Sequence, residues 1–219
     1  MPYALRVVLW KPAYATPFRI GSMQEAPEHP VKACQIHRGV PFVFQAEQGI
    51  LSGRPKGAAL LEALMAHLQL SQDNTAIALD FKQVQFVDVS CADEMLNKLL
   101  LRLRSGELKN RFVFIVSANA SVRETVEAVL QLRDLAVLAE DGEGGVELLG
   151  ALKTPMREAL DVLLERKCAT SAEVSEQIDK NVNIVCNRLN ALQRLGLVCR
   201  LRDGSVVGGG RQYFYVSIL

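Results

Sequence analysis

Asn183, Asn187, Asn190 and Arg194 fall at i, i+4, i+7 and i+11, a spacing that lays all four along one face of an α-helix. The opposite face carries Val185, Leu189 and Leu192, which form an apolar stripe of their own. Asparagine is a mediocre helix former, so a row of three on a surface helix is unusual if only solubility is wanted. In a DNA major groove such a row has a use. The carboxamide matches adenine N6 and N7, and arginine can bind guanine bidentately or clamp a phosphate. Asn181 at the start of this helix, Arg188 within it and Arg211 further on complete the candidate DNA-contacting set.

The elements that must hold this helix are legible on both sides of it. Met156, Leu160, Leu163 and Leu164 repeat with helical period and predict a first helix that ends near Cys168. Thr170-Ser171-Ala172-Glu173 has the form of a capping box and predicts a short second helix from Ser171 to about Ile178. Asp179-Lys180-Asn181 breaks the pattern, with Asn181 as N-cap of the third helix, and the chain turns at Gly196. Leu197 to Arg202 and Gln212 to Ile218 read as two strands of a hairpin, whose glycine-rich tip spans 203–211. Arg211 on that tip is placed for a phosphate or minor-groove contact.

These pieces, Thr170 to Val174, Leu189 to Val198 and the glycine-rich hairpin ending in Arg211, together resemble the winged helix-turn-helix of bacterial ArsR-like and MarR-like transcription regulators over residues 152–219. The resemblance implies binding of double-stranded DNA, as a homodimer. The alternative is a winged helix used for protein contact. Charge leans towards DNA: residues 151–219 hold ten Lys/Arg against seven Asp/Glu, a net of +3, and residues 1–150 fifteen against seventeen, a net of −2. An excess of this size calls for a dimer that doubles the phosphate contacts.

Between Leu51 and Leu149 strands and helices alternate, which predicts an α/β layer. Lys56 to Leu70 carries a helical stripe at Leu60, Leu61, Leu64 and Leu68, and Thr75 to Phe81 is a short apolar run suited to a buried strand. Val84 to Val87 reads as a strand and Ala92 to about Arg104 as a helix with Met95, Leu96, Leu99, Leu100 and Leu103 inward. Arg111–Ser117, Ser121–Leu132 and Ala136–Ala139 read as strand, helix and strand. Asp88-Val89-Ser90 sits in the turn before the second helix. A hydroxyl there can cap the helix, with Asp93 at N3, or meet a phosphate with the helix's unpaired amides.

Ser52-Gly53-Arg54, Ala78 to Phe81 and above all Val87 to Glu94 make this region, from about Gly53 to Leu152, resemble a STAS-like domain, related to the anti-sigma-factor antagonists. The resemblance places Ser90 at the position where those proteins are phosphorylated by a partner serine kinase, itself an ATPase, with Asp88 at the preceding acidic position. The sequence departs from the pattern in having Cys91-Ala92 after Ser90, and Asp93-Glu94 bring negative charge close to the hydroxyl.

Composition bounds the rest. With 219 residues, 49% hydrophobic and 22% charged, the chain can bury a proper core. No apolar run reaches membrane-spanning length and Met1 to Arg6 lacks the features of a secretory signal, so a cytoplasmic protein without a membrane partner is expected. The five cysteines, Cys34, Cys91, Cys168, Cys186 and Cys199, are odd in number and scattered, as reduced thiols would be. Cys34 and His37 have a metal-like spacing but no second ligand pair, so no metal is expected. Leu5 to Trp10 and Pro41 to Phe44 read as strands. Trp10, Tyr14 and Phe18 could pack the core, mediate dimerisation or line a pocket. Neither glycine cluster has the Lys-Ser/Thr or the strand-helix setting of a phosphate loop, and no Ser/His/Asp set is visible. An enzyme and a bound cofactor are therefore not expected.

The fold expected is thus α/β: an N-terminal segment (1–50) packed on a STAS-like domain (51–150), followed by a small winged helix-turn-helix (152–219). The function expected is a transcription regulator whose STAS-like module receives a signal or docks a protein. The alternative is an adaptor of the anti-sigma-antagonist type that docks a histidine-kinase-like ATPase. Because so few residues join the two modules, they should pack and move together.

Overall fold

The computed structural model describes residues 36–140, 142, 144–202 and 213–219. Arg211 and the hairpin tip, Cys34, His29, the Leu5–Trp10 strand and the aromatic residues Trp10, Tyr14 and Phe18 lie outside the described residues. The architecture is α/β. Its centre is β4 (Thr75–Asp80), flanked by β6 (Arg111–Val116), then β7 (Ala136–Glu140) and β8 (Val146–Gly150). On the other side β4 pairs with two short strands, β1 (His37–Arg38) and β2 (Phe42–Val43), both parallel to it. β4, β6 and β7 run parallel, with Ala78 beside Phe114 and Phe114 beside Leu138, whereas β8 returns antiparallel with Leu148 beside Leu138. A parallel pair needs a crossover, and helices supply it. α2 (Val89–Ala92) continues through a π turn (Asp93–Asn97) into α3 (Lys98–Ser105) ahead of β6, and α4 (Ala120–Gln131) lies between β6 and β7. α1 (Arg54–Leu70) follows β3 (Ile50–Leu51), which forms a separate parallel pair with β5 (Phe86–Val87).

The strands have two buried faces, and side-chain alternation sorts them. Ile77, Leu79, Val113, Ile115, Val137 and Ala139 point to the layer of α1, α2, α3 and α4, where Leu64, Leu68, Met95, Leu99, Val126 and Leu130 meet them. Ala76, Phe112, Phe114, Ala136 and Leu138 point the other way, into a second core built with residues of the C-terminal segment, among them Leu160, Leu163, Leu197 and Tyr215. Phe114 is 2% exposed and Leu138 fully buried. Arg38 stacks over the Phe114 ring at 4.3 Å from its centroid, and the Cys199 thiol donates to Asn74 Oδ1 at 3.7 Å. The described residues belong to one compact unit.

The C-terminal segment consists of α5 (Thr154–Arg166), β9 (Cys168–Thr170), α6 (Ser171–Gln177), α7 (Val182–Arg194), β10 (Val198–Arg202) and β11 (Tyr213–Ser217). β11 lies between β10 and β9, antiparallel to both. The capping box forms as the sequence predicts: the Thr170 hydroxyl accepts from the Glu173 amide, and the Thr170 amide donates to the Glu173 carboxylate at 2.7 Å. Four strands were not expected: the two-residue β1 and β3, which exist through their parallel pairing with β4 and β5, and β8 and β9. β8 shows little alternation of polar and apolar residues, and β9 is only three residues long and exists through its pairing with β11. The sheet also takes its β1–β2 edge from residues before 51.

Candidate functional site

α7 is positioned by its apolar stripe. Val185, Leu189 and Leu192 are fully buried in the second core, against α5 and α6. Asn181 caps the helix, its side chain accepting from the Asn183 amide at 2.9 Å. The outward surface at this end carries exposed Lys180, Asn181, Asn183 and Asn187, together with exposed Val182 and Ile184. Among the described residues the Asn183 and Asn187 side chains make no hydrogen bond, so their carboxamides remain available to a partner.

The polar stripe is shorter than helical spacing alone predicts. Asn190 turns inward: its Oδ1 accepts from Tyr215 Oη and from Arg200, both at 3.0 Å, and its Nδ2 donates to Cys186 Sγ at 3.5 Å. It ties α7 to the β10–β11 hairpin instead of facing solvent. Burial, then the neighbouring Cys186, pushes the Tyr215 phenol up to about 12, so it remains a donor to Asn190 throughout the physiological range. Arg188 pairs with Glu158 of α5 at 3.1 Å, with its side chain only 16% exposed. Arg194 is exposed but lines a cleft shared with the α/β body, away from the Asn183–Asn187 end.

The second candidate, the turn before α2, is organised by Asp88. Asp88 is the N-cap, one Oδ accepting from the Cys91 amide at 2.7 Å, the other from the Gly53 amide at 2.8 Å and from the Ser52 hydroxyl. Ser90 is therefore inside the first turn, not the cap expected of it, because the carboxylate two residues earlier reaches the free amides first. Burial works against the Asp88 charge, but the bonds from Ser52, Cys91, Gly53 and Ser90 outweigh it and hold its carboxyl below the usual range. α1 crosses here at close range: a Cβ on Gly57 would lie 2.7 Å from the Cys91 carbonyl oxygen.

Ser90 opens on a cleft of about 370 Å³ with Arg54, Asp93, Leu132 and Arg133 around it. Arg54 approaches Glu94 at 3.3 Å and Asp93 at 3.7 Å, Arg133 approaches Asp93 at 3.8 Å, and Lys98 pairs with Glu94. The acidic pair that the sequence sets beside the hydroxyl is thus balanced by three cations, from α1, α3 and the turn after α4. Sequence reasoning missed Arg133, which carries no motif and reaches Ser90 only through the fold. Lys180 was also missed, although it directly precedes the predicted N-cap.

No family model matches the chain, and no curated protein is similar to it.

The remaining chemistry is quiet. Cys91 follows Ser90 at a helix start, where a thiol is usually activated. Burial and then the Asp88 charge instead push it up to about 11. Burial likewise raises Cys199 to about 12. Among the described residues no group of three or more His, Cys, Asp or Glu could hold a metal ion, and no helix is long and apolar enough to cross a membrane.

Asp88→Ala removes the cap of α2 and the anchor of Ser52 and Gly53, and is expected to cost about 1–2 kcal/mol in urea denaturation at neutral pH. Since the folded carboxyl titrates below its ordinary value of roughly 3.9, its contribution is complete above that value. It is lost as pH falls through the lower, folded value. The gap between wild type and Asp88→Ala should therefore be constant from neutrality down to mildly acidic pH and close below it. A gap that widened on acidification would refute the assignment.

Proposed function

We propose that the protein is a DNA-binding transcription regulator acting as a homodimer. In this reading residues 152–219 form a winged helix-turn-helix with α7 as the recognition helix. The α/β body is a STAS-like module that receives a signal at or near Ser90. The observation that carries the reading is the uncommitted pair Asn183 and Asn187 on the exposed N-terminal half of α7. In helix-turn-helix proteins it is the N-terminal part of the second helix that reaches base edges. The order α6, turn, α7 and then a hairpin agrees with that assignment. Among the residues named from sequence, Asn181, Asn183 and Asn187 retain a direct role in this reading, Arg211 lies outside the described residues, and Asn190 and Arg188 hold the helix in place.

The test is fluorescence anisotropy of the full chain with duplex fragments from its own upstream region, at about 50 and 200 mM salt, because phosphate-driven binding weakens steeply between them. One fragment should be retained over an equal-length control. The double variant Asn183→Ala/Asn187→Ala should lose at least about tenfold in affinity, since each good carboxamide–adenine pair is worth roughly 1–3 kcal/mol. Its circular dichroism should not change. Equal retention by the double variant would remove α7 as the reading element, and absence of binding at the lower salt would overturn the operator-binding reading.

A second reading has its own support. Val182 and Ile184 are 44% and 49% exposed on the same helix end, as a surface that docks another protein would have them. Under that reading the chain is an adaptor of the anti-sigma-antagonist type, whose winged helix contacts another protein while the STAS-like module docks a histidine-kinase-like ATPase. Val182→Ser/Ile184→Ser would then abolish partner capture and leave DNA retention nil throughout.

A further inference from the structure

A cleft of about 870 Å³ lies where the C-terminal segment meets the α/β body. Arg104 at the end of α3, Lys153 just ahead of α5 and Arg194 at the end of α7 line it, and Asp134 is the only carboxylate among its lining residues. All three cations are exposed, and among the described residues none has an ion-pair partner. Leu152, Met156 and Leu195 add apolar lining. Three like charges lining one cleft raise its positive potential, and an anion placed there relieves it. The volume lies in the range of small-molecule sites, which combine apolar walls with a few convergent polar groups. We propose that this cleft binds an organic anion with an apolar body, its charged group held by Lys153, Arg194 and Arg104 and its body lying against Met156 and Leu195.

The position gives such a ligand leverage. The connector is pinned at the cleft, where the Ala151 amide donates to the Leu135 carbonyl at 2.8 Å. The end of α4 and the turn that follows it contribute Gln131 and Asp134 to this cleft, and Leu132 and Arg133 to the cleft at Ser90. A ligand held here touches the body, the connector and the end of α7 together, so occupancy favours one spacing of these elements over others. This leverage acts on DNA retention only if the proposed function holds; the binding site does not depend on it.

The experiment titrates the full chain with anilinonaphthalene sulfonate, an anion on an aromatic body, following its fluorescence, and maps hydrogen exchange with and without the probe. Saturable binding is expected, weakened at least about fivefold in Lys153→Gln/Arg194→Gln. Exchange should slow in segments 150–157 and 191–195. An affinity unchanged within about twofold in the double variant, or protection confined to other segments, overturns the site. Inorganic phosphate at equal concentration should not displace the probe; full displacement would refute the apolar half of the assignment. If the double variant does not fold, the exchange map of the wild-type chain decides alone. Because no DNA enters this assay, its failure is separate from failure of the regulator reading.

Discussion

Cutting the chain after Ala151 is expected to yield an α/β half that aggregates or unfolds instead of folding alone. The face of the sheet formed by Ala76, Phe112, Phe114, Ala136 and Leu138 is covered by the C-terminal segment. Truncation would present two phenylalanines and a leucine from adjacent strands to water. At roughly 1.5–3 kcal/mol for each large side chain, the loss reaches about 5–9 kcal/mol, comparable with the whole stability of a domain. The exposed patch would also promote association. By the same argument the full chain should unfold in one cooperative transition, with circular dichroism and tyrosine fluorescence coincident in urea. A truncated protein that remained soluble and melted sharply, or a full chain with two separated transitions, would show that the two halves do not share a core.

Gly150→Ala should be the most damaging single-methyl change in the connector. Residue 150 has φ +96°, and a Cβ there would lie 2.2 Å from the Leu135 carbonyl oxygen and 2.9 Å from Leu130 Cβ. The oxygen cannot yield easily, since it accepts the Ala151 amide that pins the connector. Backbone strain of about 1–3 kcal/mol and overpacking of a similar size add to roughly 3 kcal/mol or more. Gly106→Ala provides the control: its φ is +82° but nothing lies within 4 Å of the added methyl. It should show the strain alone. Urea midpoints of the two variants separate the contributions, and equal losses would mean that the contact with Leu135 is not made.

What the sequence determined by itself is local. Helical stripes such as Leu160 with Leu163, or Val185 with Leu189 and Leu192, depend on neighbours three and four residues away, and these residues are buried as their spacing requires. The Thr170–Glu173 capping box and the Asn181 cap lie within a few residues of chain and form as written. The apolar run at β4 called for a buried strand, and alternation along it divides Ile77 and Leu79 from Ala76. The run could not say what covers its second face, because the covering residues lie some eighty or more positions further on.

Tertiary structure decided the rest, and most of it concerns polar groups. A helical wheel places Asn190 beside Asn187, yet the β10–β11 hairpin brings Tyr215 and Arg200 against Asn190 and leaves Asn187 exposed. Arg188 meets Glu158 across thirty residues. Asp88 and Ser90 both stood near a helix start. Asp88 became the cap because α1 delivered Ser52 and Gly53 to its second oxygen. A polar side chain's role is set by whichever donor or acceptor packing brings within about 3 Å of it, and that partner is rarely its neighbour in sequence. Apolar periodicity survives without such knowledge because burial is not directional.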